Sequence, residues 1–305
     1  MLTVAHLLAN DSGSFQLIMT NAVGSNASAS ASLLVTRVAL NDGGGWTPNG
    51  GATITRNVLT LTDGAGGEAR SSLLNLPQYV GGFTASFIYQ DVGGGGADGA
   101  AFVLHQDSRG ASALGGAGGG LGYSGISPSA AIQFNIYVNN GVGIQFRING
   151  LTGVPYVSTA PVNLASVDPI GITLRYDGAI LAMALTDAVA AVSFSTNWNV
   201  ALPAILGSDS AYVGFSGADG GVASTETISN FAFVSLPRLS SQLASAGTIL
   251  FSWPASAGGF LLQQNSSLSP TTWVKFPGLP NLIGSQNQVL VSPAFGSQFY
   301  RLMLP

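Results

Sequence analysis

Short runs in which apolar and polar residues alternate recur through the middle of the chain. Every second residue is apolar in Phe83–Tyr89 and again in Ala130–Val138. A period of two puts one set of side chains on one face of an extended strand, so this pattern predicts half-buried β-strands. The segments predicted as strands are Thr53–Leu61, Phe83–Tyr89, Ala100–His105, Ala130–Val138, Val142–Ile148, Ile170–Tyr176, Ile180–Thr186, Tyr212–Ser216 and Ile228–Val234.

Clusters of Gly, Asn, Asp and Ser separate these segments, and no stretch carries the sustained apolar period of about 3.6 residues that marks a helix. The chain is therefore predicted to be all-β. Two of the loops, Gly93–Gly99 and Gly115–Gly122, are dense in glycine. Glycine is favoured where the backbone bends sharply or a ligand approaches the main chain closely. The first loop carries one acid, Asp98, directly before a predicted strand.

The composition narrows the class of protein. Among the 305 residues there is no cysteine, 46% are hydrophobic and only 7% are charged. No apolar run approaches the roughly 20 residues of a membrane-spanning helix, so we expect no membrane span. The 9 basic residues are scattered singly among 13 acidic ones, which argues against nucleic-acid binding. So few charges are typical either of a surface covered by neighbours or of a low-charge secreted β-protein.

Several motifs occur in the order and spacing of a known family, over roughly Val38 to Leu236. They are Ala97-Asp98-Gly99-Ala100-Ala101-Phe102-Val103-Leu104, then Leu114-Gly115-Gly116, then Gly120-Leu121-Gly122-Tyr123. This stretch resembles the legume-type (L-type) lectins and their bacterial relatives. The resemblance implies a concanavalin-like jelly-roll sandwich of two large antiparallel sheets in residues 38–238.

The resemblance also implies the position of a sugar site. In L-type lectins an Asp in the Ala-Asp-Gly loop accepts hydrogen bonds from two sugar hydroxyls, and a cis peptide bond before it aims the carboxylate. The matching residues are Ala97 and Asp98. The alternative is that Asp98 only caps its loop by accepting backbone N–H bonds, in a fold that no longer binds sugar.

Three further loops complete the implied site. A backbone N–H at Gly119 or a neighbour donates to the same hydroxyls, Asn139 supplies a side-chain amide, and the ring of Tyr137 stacks on the sugar. Ala218 and Asp219 are the candidate contacts from the fourth loop.

The metal-binding half of the family's site is altered in this sequence. The family strand reads acid-aromatic-acid, and its two acids bind manganese and calcium; the matching residues are Gln133 and Asn135. The Asp and His that normally follow are replaced by Gly141-Val142-Gly143-Ile144. Hard divalent cations need anionic oxygen ligands, which neutral amides do not supply. We therefore predict no required cofactor, no manganese site and at best weak Ca²⁺ binding.

Two smaller units are predicted to flank the lectin-like domain. Residues 1–37 contain Asp11-Ser12-Gly13-Ser14-Phe15-Gln16-Leu17, which resembles strands E to G of an immunoglobulin-like domain. Residues 239–305 contain Ser252-Trp253-Pro254 and Phe299-Tyr300-Arg301-Leu302, and resemble a small C-terminal β-domain of exported proteins from environmental bacteria. Three strands cannot close a sandwich, so we expect missing upstream residues, the lectin-like domain or a neighbouring molecule to cover the first unit.

Two functions follow from these patterns. The first is an extracellular carbohydrate-binding, lectin-like protein with a degenerate metal site, whose partners are glycans. The alternative is a structural subunit of an extracellular fibre or surface assembly, a homopolymer joined by head-to-tail β-domain complementation and displaying the lectin domain.

An enzyme is not expected from this sequence. The strands that carry paired carboxylates in glucanases of the same fold carry the amides Gln133 and Asn135. The segment after Met1 lacks the pattern of a signal peptide. Because lectin-like domains of this kind are normally exported, the resemblance implies an extracellular or cell-surface protein whose secretion signal either lies upstream of Met1 or has been removed.

Overall fold

The computed structural model describes residues 13–15, 18–21, 24–27, 31–33, 38–94, 96–244, 248–266, 273–292 and 298–304. The chain divides into two compact units, residues 1–6 with 39–236 and residues 7–38 with 237–305. The three-domain division expected from the sequence stays a prediction.

Antiparallel strands account for nearly all regular structure. In the second unit these are β1 (Gly13–Phe15), β2 (Ile18–Asn21), β3 (Gly24–Ala27), β4 (Ala31–Leu33), β19 (Ser240–Leu243), β20 (Ile249–Pro254), β21 (Leu261–Asn265), β22 (Val274–Lys275), β23 (Asn281–Ile283), β24 (Gln286–Val291) and β25 (Phe299–Met303). In the first unit they are β5 (Trp46–Asn49), β6 (Thr53–Thr55), β7 (Val58–Thr60), β8 (Ala69–Leu74), β9 (Gln78–Tyr79), β10 (Phe83–Asp91), β11 (Gly99–His105), β12 (Ser129–Asn135), β13 (Gly143–Ile148), β14 (Ile170–Tyr176), β15 (Ile180–Asp187), β16 (Val192–Asn199), β17 (Ser210–Ala218) and β18 (Glu226–Ser235).

Helical structure in the described residues is short. One α-helix, α1, spans Leu202–Leu206, and 3₁₀ turns occupy Asn41–Gly43, Gly110–Ser112, Gly118–Gly120 and Val138–Asn140. None of the helices in the described ranges is long and apolar enough to cross a membrane.

Two sheets form the first unit. The back sheet has the order β16-β15-β14-β10-β18-β7-β6, and the site sheet has the order β13-β12-β11-β17-β8-β5, with β9 also pairing with β17. The prediction of an all-β jelly-roll sandwich is confirmed. The first residue of β11, Gly99, pairs with the last residues of β12 and β17, Asn135 and Ala218. The start of β11 and the ends of β12 and β17 therefore lie together at one edge of the sheet.

Two predicted strands differ from the observed ones. Thr53–Leu61 is not one strand but the hairpin β6–β7, since Arg56 and Asn57 both take positive φ and form a two-residue turn. The strand predicted to reach Val138 ends at Asn135, and Val138 is 69% exposed in a 3₁₀ turn. Strands β5, β8, β9 and β16 were not predicted.

Aromatic side chains fill the space between the two sheets. Phe87 of the back sheet has ring contacts with Phe102, Phe134 and Phe215 of the site sheet, at centroid distances of 5.9, 6.1 and 4.9 Å. All four side chains are buried. The alternation in Phe83–Tyr89 therefore marks the face that holds the sandwich together.

A loop covers the opposite face of the site sheet. Tyr123 and Ile126 from this loop pack with Val103 and Ala131 from the strands beneath, and all are at most 2% exposed. Asp107 fixes the start of the loop through an ion pair with Arg109 and a hydrogen bond from the Ser127 N–H at 3.0 Å. The Arg109 guanidinium holds the pKa of Asp107 well below its usual range.

The second unit contains its own core. Trp253 and Phe251 from β20 pack with Leu262 from β21 and with Val289 and Val291 from β24. In the N-terminal segment, β1 pairs with β4 and β2 pairs with β3, so four short strands are described where three were expected. Asp11, Ser12, Gln16 and Leu17 of the immunoglobulin-like motif lie outside the described residues.

Candidate functional site

Asp98 occupies the centre of the edge where β11, β12 and β17 meet. The Ala97–Asp98 peptide bond is cis, as the family resemblance implies. The Asp98 N–H donates to the carbonyl oxygen of Ala218 at 3.1 Å, and the Asp98 carbonyl accepts from the Ile136 N–H at 3.1 Å. The main chain of Asp98 is thus fixed to two neighbouring loops.

The carboxylate of Asp98 lies between two glycines. A methyl group built on Gly118 would lie 3.5 Å from its Oδ2 atom, and one built on Gly220 would lie 3.3 Å from it. The residue is only 7% exposed, yet no described residue donates a hydrogen bond to the carboxylate. The capping donors that the alternative interpretation of Asp98 requires are therefore not found in the described part of its loop.

The second glycine loop offers a main-chain donor. Its 3₁₀ turn is anchored by Gly118, which takes a φ of +57° and donates its N–H to the Asp219 carbonyl at 2.9 Å. The next residue, Gly119, is exposed, and no heavy atom lies within 4 Å of a methyl group built on it. Its N–H has no acceptor among the described residues, so it is free to bind a ligand.

Tyr137 and Asn139 lie on the loop after β12. The Asn139 side-chain amide donates to the Tyr137 hydroxyl at 2.6 Å. Tyr137 is half-buried and Asn139 is exposed. The structure joins these two side chains to each other, and their loop reaches Asp98 through the main chain of Ile136.

Ala218 and Asp219 are fully buried, at 0% exposure. The Asp219 Oδ1 atom accepts the Glu68 N–H at 2.8 Å, while its main chain bonds to Gly118 and Glu68. Burial is the main factor that raises the pKa of Asp219. Both residues hold the cleft from beneath, and their assignment as ligand contacts stays a prediction.

Four residues that sequence reasoning missed support the cleft. Glu68 forms an ion pair with Arg70, which also pairs with Asp63 at 2.7 Å. The Ser224 hydroxyl donates to the Ala97 carbonyl at 3.1 Å. In the sequence, the only local signal for these residues was an acid two positions before an arginine, Glu68 and Arg70, directly after the glycines of the 63–70 segment.

A buried carboxyl pair lies in the back sheet next to these loops. Asp91 and Glu226 are register partners on β10 and β18 and are both 0% exposed. The Tyr89 hydroxyl donates to Glu226 Oε1 at 3.3 Å. Burial, with a smaller effect of Asp91, raises the pKa of Glu226 well above its usual range.

The residues that match the family's metal ligands form a network of neutral amides. Asn135 Nδ2 donates to the carbonyl oxygens of Tyr137 at 3.0 Å and Gly141 at 2.9 Å. Gln133 donates to the Leu151 carbonyl at 2.8 Å and accepts from Gln145 at 3.0 Å.

This network does not fit a divalent cation. Each NH₂ group points at main-chain oxygens, and the free oxygens, Asn135 Oδ1 and Gln145 Oε1, are neutral. In the described ranges no three His, Cys, Asp or Glu side chains form a group that could hold a metal ion. Without anionic oxygen, such a site cannot offset the cost of dehydrating Mn²⁺ or Ca²⁺.

Comparison with known proteins gives one family. The legume lectin domain matches residues 48–246. Lectin I-B4 from Griffonia simplicifolia, in a metal-free form, is 21% identical with a TM-score of 0.55, over 63% of this chain and 94% of that chain. A lectin from Bauhinia forficata in complex with GalNAc is 22% identical with a TM-score of 0.52, over 62% of this chain and 91% of that chain.

A lectin-like defence protein, arcelin-5 from Phaseolus vulgaris, has the same fold. It is 20% identical with a TM-score of 0.51, and the match covers 62% of this chain and 91% of that chain. At these identities the solved structures establish the fold alone.

Proposed function

This chain belongs to the legume lectin domain family, and from that premise we propose that it binds glycans in the cleft around Asp98. The observation that carries the proposal is the Asp98 carboxylate. It is 7% exposed and receives no hydrogen bond from a described residue. Its two oxygens are not among the buried side-chain atoms that lack a partner, so they are open to solvent, and sugar hydroxyls can donate to them in place of water.

The neighbouring groups suit the same ligand. The Gly119 N–H can donate to a hydroxyl that in turn donates to Asp98, and the Tyr137 ring can cover an apolar sugar face. The loops around Asp98 are tied to one another by main-chain hydrogen bonds. This arrangement supports ligand binding without catalysis, in keeping with the legume lectin family, whose members are not enzymes.

A glycan array with three proteins tests the proposal. Asp98→Asn keeps the shape and removes the charge; hydrogen bonds to a charged group contribute about 1.5–3 kcal/mol, so affinity should fall roughly 10- to 100-fold. Asp209→Asn is the matched control, because Asp209 precedes the opposite end of β17. Absence of glycan binding by the wild type, or equal binding by Asp98→Asn, would refute it.

We also propose that the protein acts outside the cell or at its surface, and that no bound cation is required. The alternative hypothesis of a fibre subunit rests on sequence features alone: the incomplete immunoglobulin-like motif and the low charge. Light scattering at increasing protein concentration tests that alternative, which predicts growing particles rather than a constant size.

A further inference from the structure

We propose that the side-chain amides of Gln133, Asn135 and Gln145 hold the ligand-binding loops in the place of metal ions, so that the cleft is ordered without any cation. The consequence for ligand affinity rests on the proposed function. The consequence for loop order does not, because it concerns hydrogen bonds within the chain.

Asn135 is the central residue of this arrangement. It is the last residue of β12, is 1% exposed, and donates to the carbonyls of Tyr137 and Gly141. These carbonyls lie on either side of the turn Val138–Asn140. One amide therefore closes the loop that carries Tyr137 and Asn139, a role that requires a donor group and not an acid.

Gln133 and Gln145 hold the segment that follows β13. They are register partners on β12 and β13 and bond to each other at 3.0 Å. Gln133 also donates to the Leu151 carbonyl, and Gln145 donates to the Gly153 carbonyl. Gln133 is fully buried and Gln145 is 6% exposed, so both amides bond within the protein rather than with bulk water.

The network is adjacent to the candidate ligand site. The Tyr156 hydroxyl donates to Gln133 Oε1 at 3.5 Å. Asn135 is the register partner of Gly99, the residue after Asp98, and the neighbouring Ile136 N–H donates to the Asp98 carbonyl at 3.1 Å. The loop that Asn135 closes is thus tied directly to Asp98.

The side-chain amides and a bound cation cannot both hold these loops, because they would compete for the same oxygen atoms. A cation at this point would meet carbonyls of Tyr137, Gly141, Leu151 and Gly153 that already accept amide hydrogens. The oxygens that remain without a partner, Asn135 Oδ1 and Gln145 Oε1, are neutral. The NH₂ hydrogens would also face the cation and repel it. The amides therefore replace the metal rather than assist it.

Hydrogen exchange of the whole chain tests the inference directly. The readout is exchange of the Asn140 and Gly141 N–H groups, which bond to Tyr137 and Val138. In the wild type, exchange should be the same in EDTA and in millimolar CaCl₂. Asn135→Ala should speed it about 10-fold, because losing hydrogen bonds of about 1 kcal/mol or more loosens the turn.

Two further variants sharpen the test. Asn197→Ala, which changes an exposed Asn on the edge strand β16, should leave exchange in the loop unchanged. The pair Gln133→Glu with Asn135→Asp restores acids and should make the melting temperature rise with CaCl₂; Asn135→Asp alone serves if the pair does not fold. Loop exchange that quickens in EDTA, or a wild-type melting temperature that rises with CaCl₂, overturns the inference.

The outcomes separate this inference from the proposed function. If Asn135→Ala loses protection in the loop and the wild type binds no glycan, the proposed function is refuted and the inference about loop order stands. Glycan binding by the wild type that disappears in EDTA would refute the inference, and with it the proposal that no cation is required, while glycan binding itself would stand as the function.

Discussion

The carboxylate of Asp219 raises the pKa of the neighbouring Asp98, in addition to the larger effect of burial. Asp219 is itself fully buried beneath the cleft and bonds to the main chain of Glu68 and Gly118. The acid that is free to accept ligand hydroxyls therefore takes up a proton at a higher pH than an ordinary aspartate does.

Ligand affinity should depend on pH through this pair. A protonated Asp98 loses its charge and turns one acceptor site into a donor, so affinity should fall as the pH drops through the raised pKa. Titration calorimetry with a glycan identified on the array, from neutral to acid pH, measures the midpoint. Asp219→Asn removes a negative charge and should move that midpoint to lower pH; an upward shift would contradict the assignment.

Two glycine substitutions should affect different properties: one should weaken glycan binding and the other should lower stability. Gly119→Ala adds a methyl group to open space at ordinary φ, so we expect normal stability and weaker glycan binding. Gly122→Ala should destabilise by about 1–3 kcal/mol, since Gly122 has a φ of +61° and the methyl would lie 2.6 Å from the Arg70 carbonyl. Urea unfolding and the glycan array separate the two; equal stability of both variants would argue against the described loop.

Glu226→Gln should stabilise the protein at neutral pH. The folded state raises the pKa of Glu226, so ionisation opposes folding once the pH exceeds the unfolded value of 4.5. The gain should therefore be present at pH 7 and should vanish near pH 4. Urea unfolding at the two pH values measures it.

An exposed acid, Asp177, serves as the control, because its ionisation should favour folding whereas that of Glu226 opposes it. Backbone N–H bonds from Ile180 and Ala179 lower the pKa of Asp177, so its contribution favours folding at neutral pH and is lost as the pH falls. Asp177→Asn should thus lose stability at neutral pH. A Glu226→Gln variant that also loses stability at pH 7 would show that its carboxyl is not buried as described.

Phe87→Ala should be among the most destabilising single changes. Phe87 is 2% exposed and touches three aromatic rings of the opposite sheet. Truncating a buried Phe costs about 3–5 kcal/mol. Ser86→Ala, on the outer face of the same strand, should change little; comparable losses from both would show that β10 does not present its faces as described.

Strands with one buried face were predictable from the sequence. Ile170–Tyr176 alternates between buried and less buried residues and was predicted with its observed bounds. In contrast, β8 is buried at nearly every position, so it carries no alternation. The turn at Arg56 and Asn57 was missed because neither residue is the glycine that usually marks positive φ.

The candidate site was predictable only where its residues are close in sequence. The cis Ala97–Asp98 bond and the exposed glycine turn at Gly119 were implied by the family resemblance, which rests on short local motifs. The support from Glu68 depends on a hydrogen bond between residues 151 positions apart, and the Glu226–Tyr89 contact on a separation of 137. No local pattern encodes such contacts, which arise when the sheets close.

The bonds that join the cleft loops are made by the main chain: Asp98 to Ala218, Ile136 to Asp98, Gly118 to Asp219 and Gly67 to Gly220. Main-chain bonds are indifferent to the identity of the side chain. Residues that face the opening, such as Gly119 and Gly221, can thus vary while the frame keeps its shape. The cleft is consequently a suitable scaffold for combinatorial libraries, in which new recognition could evolve without any redesign of the sandwich beneath it.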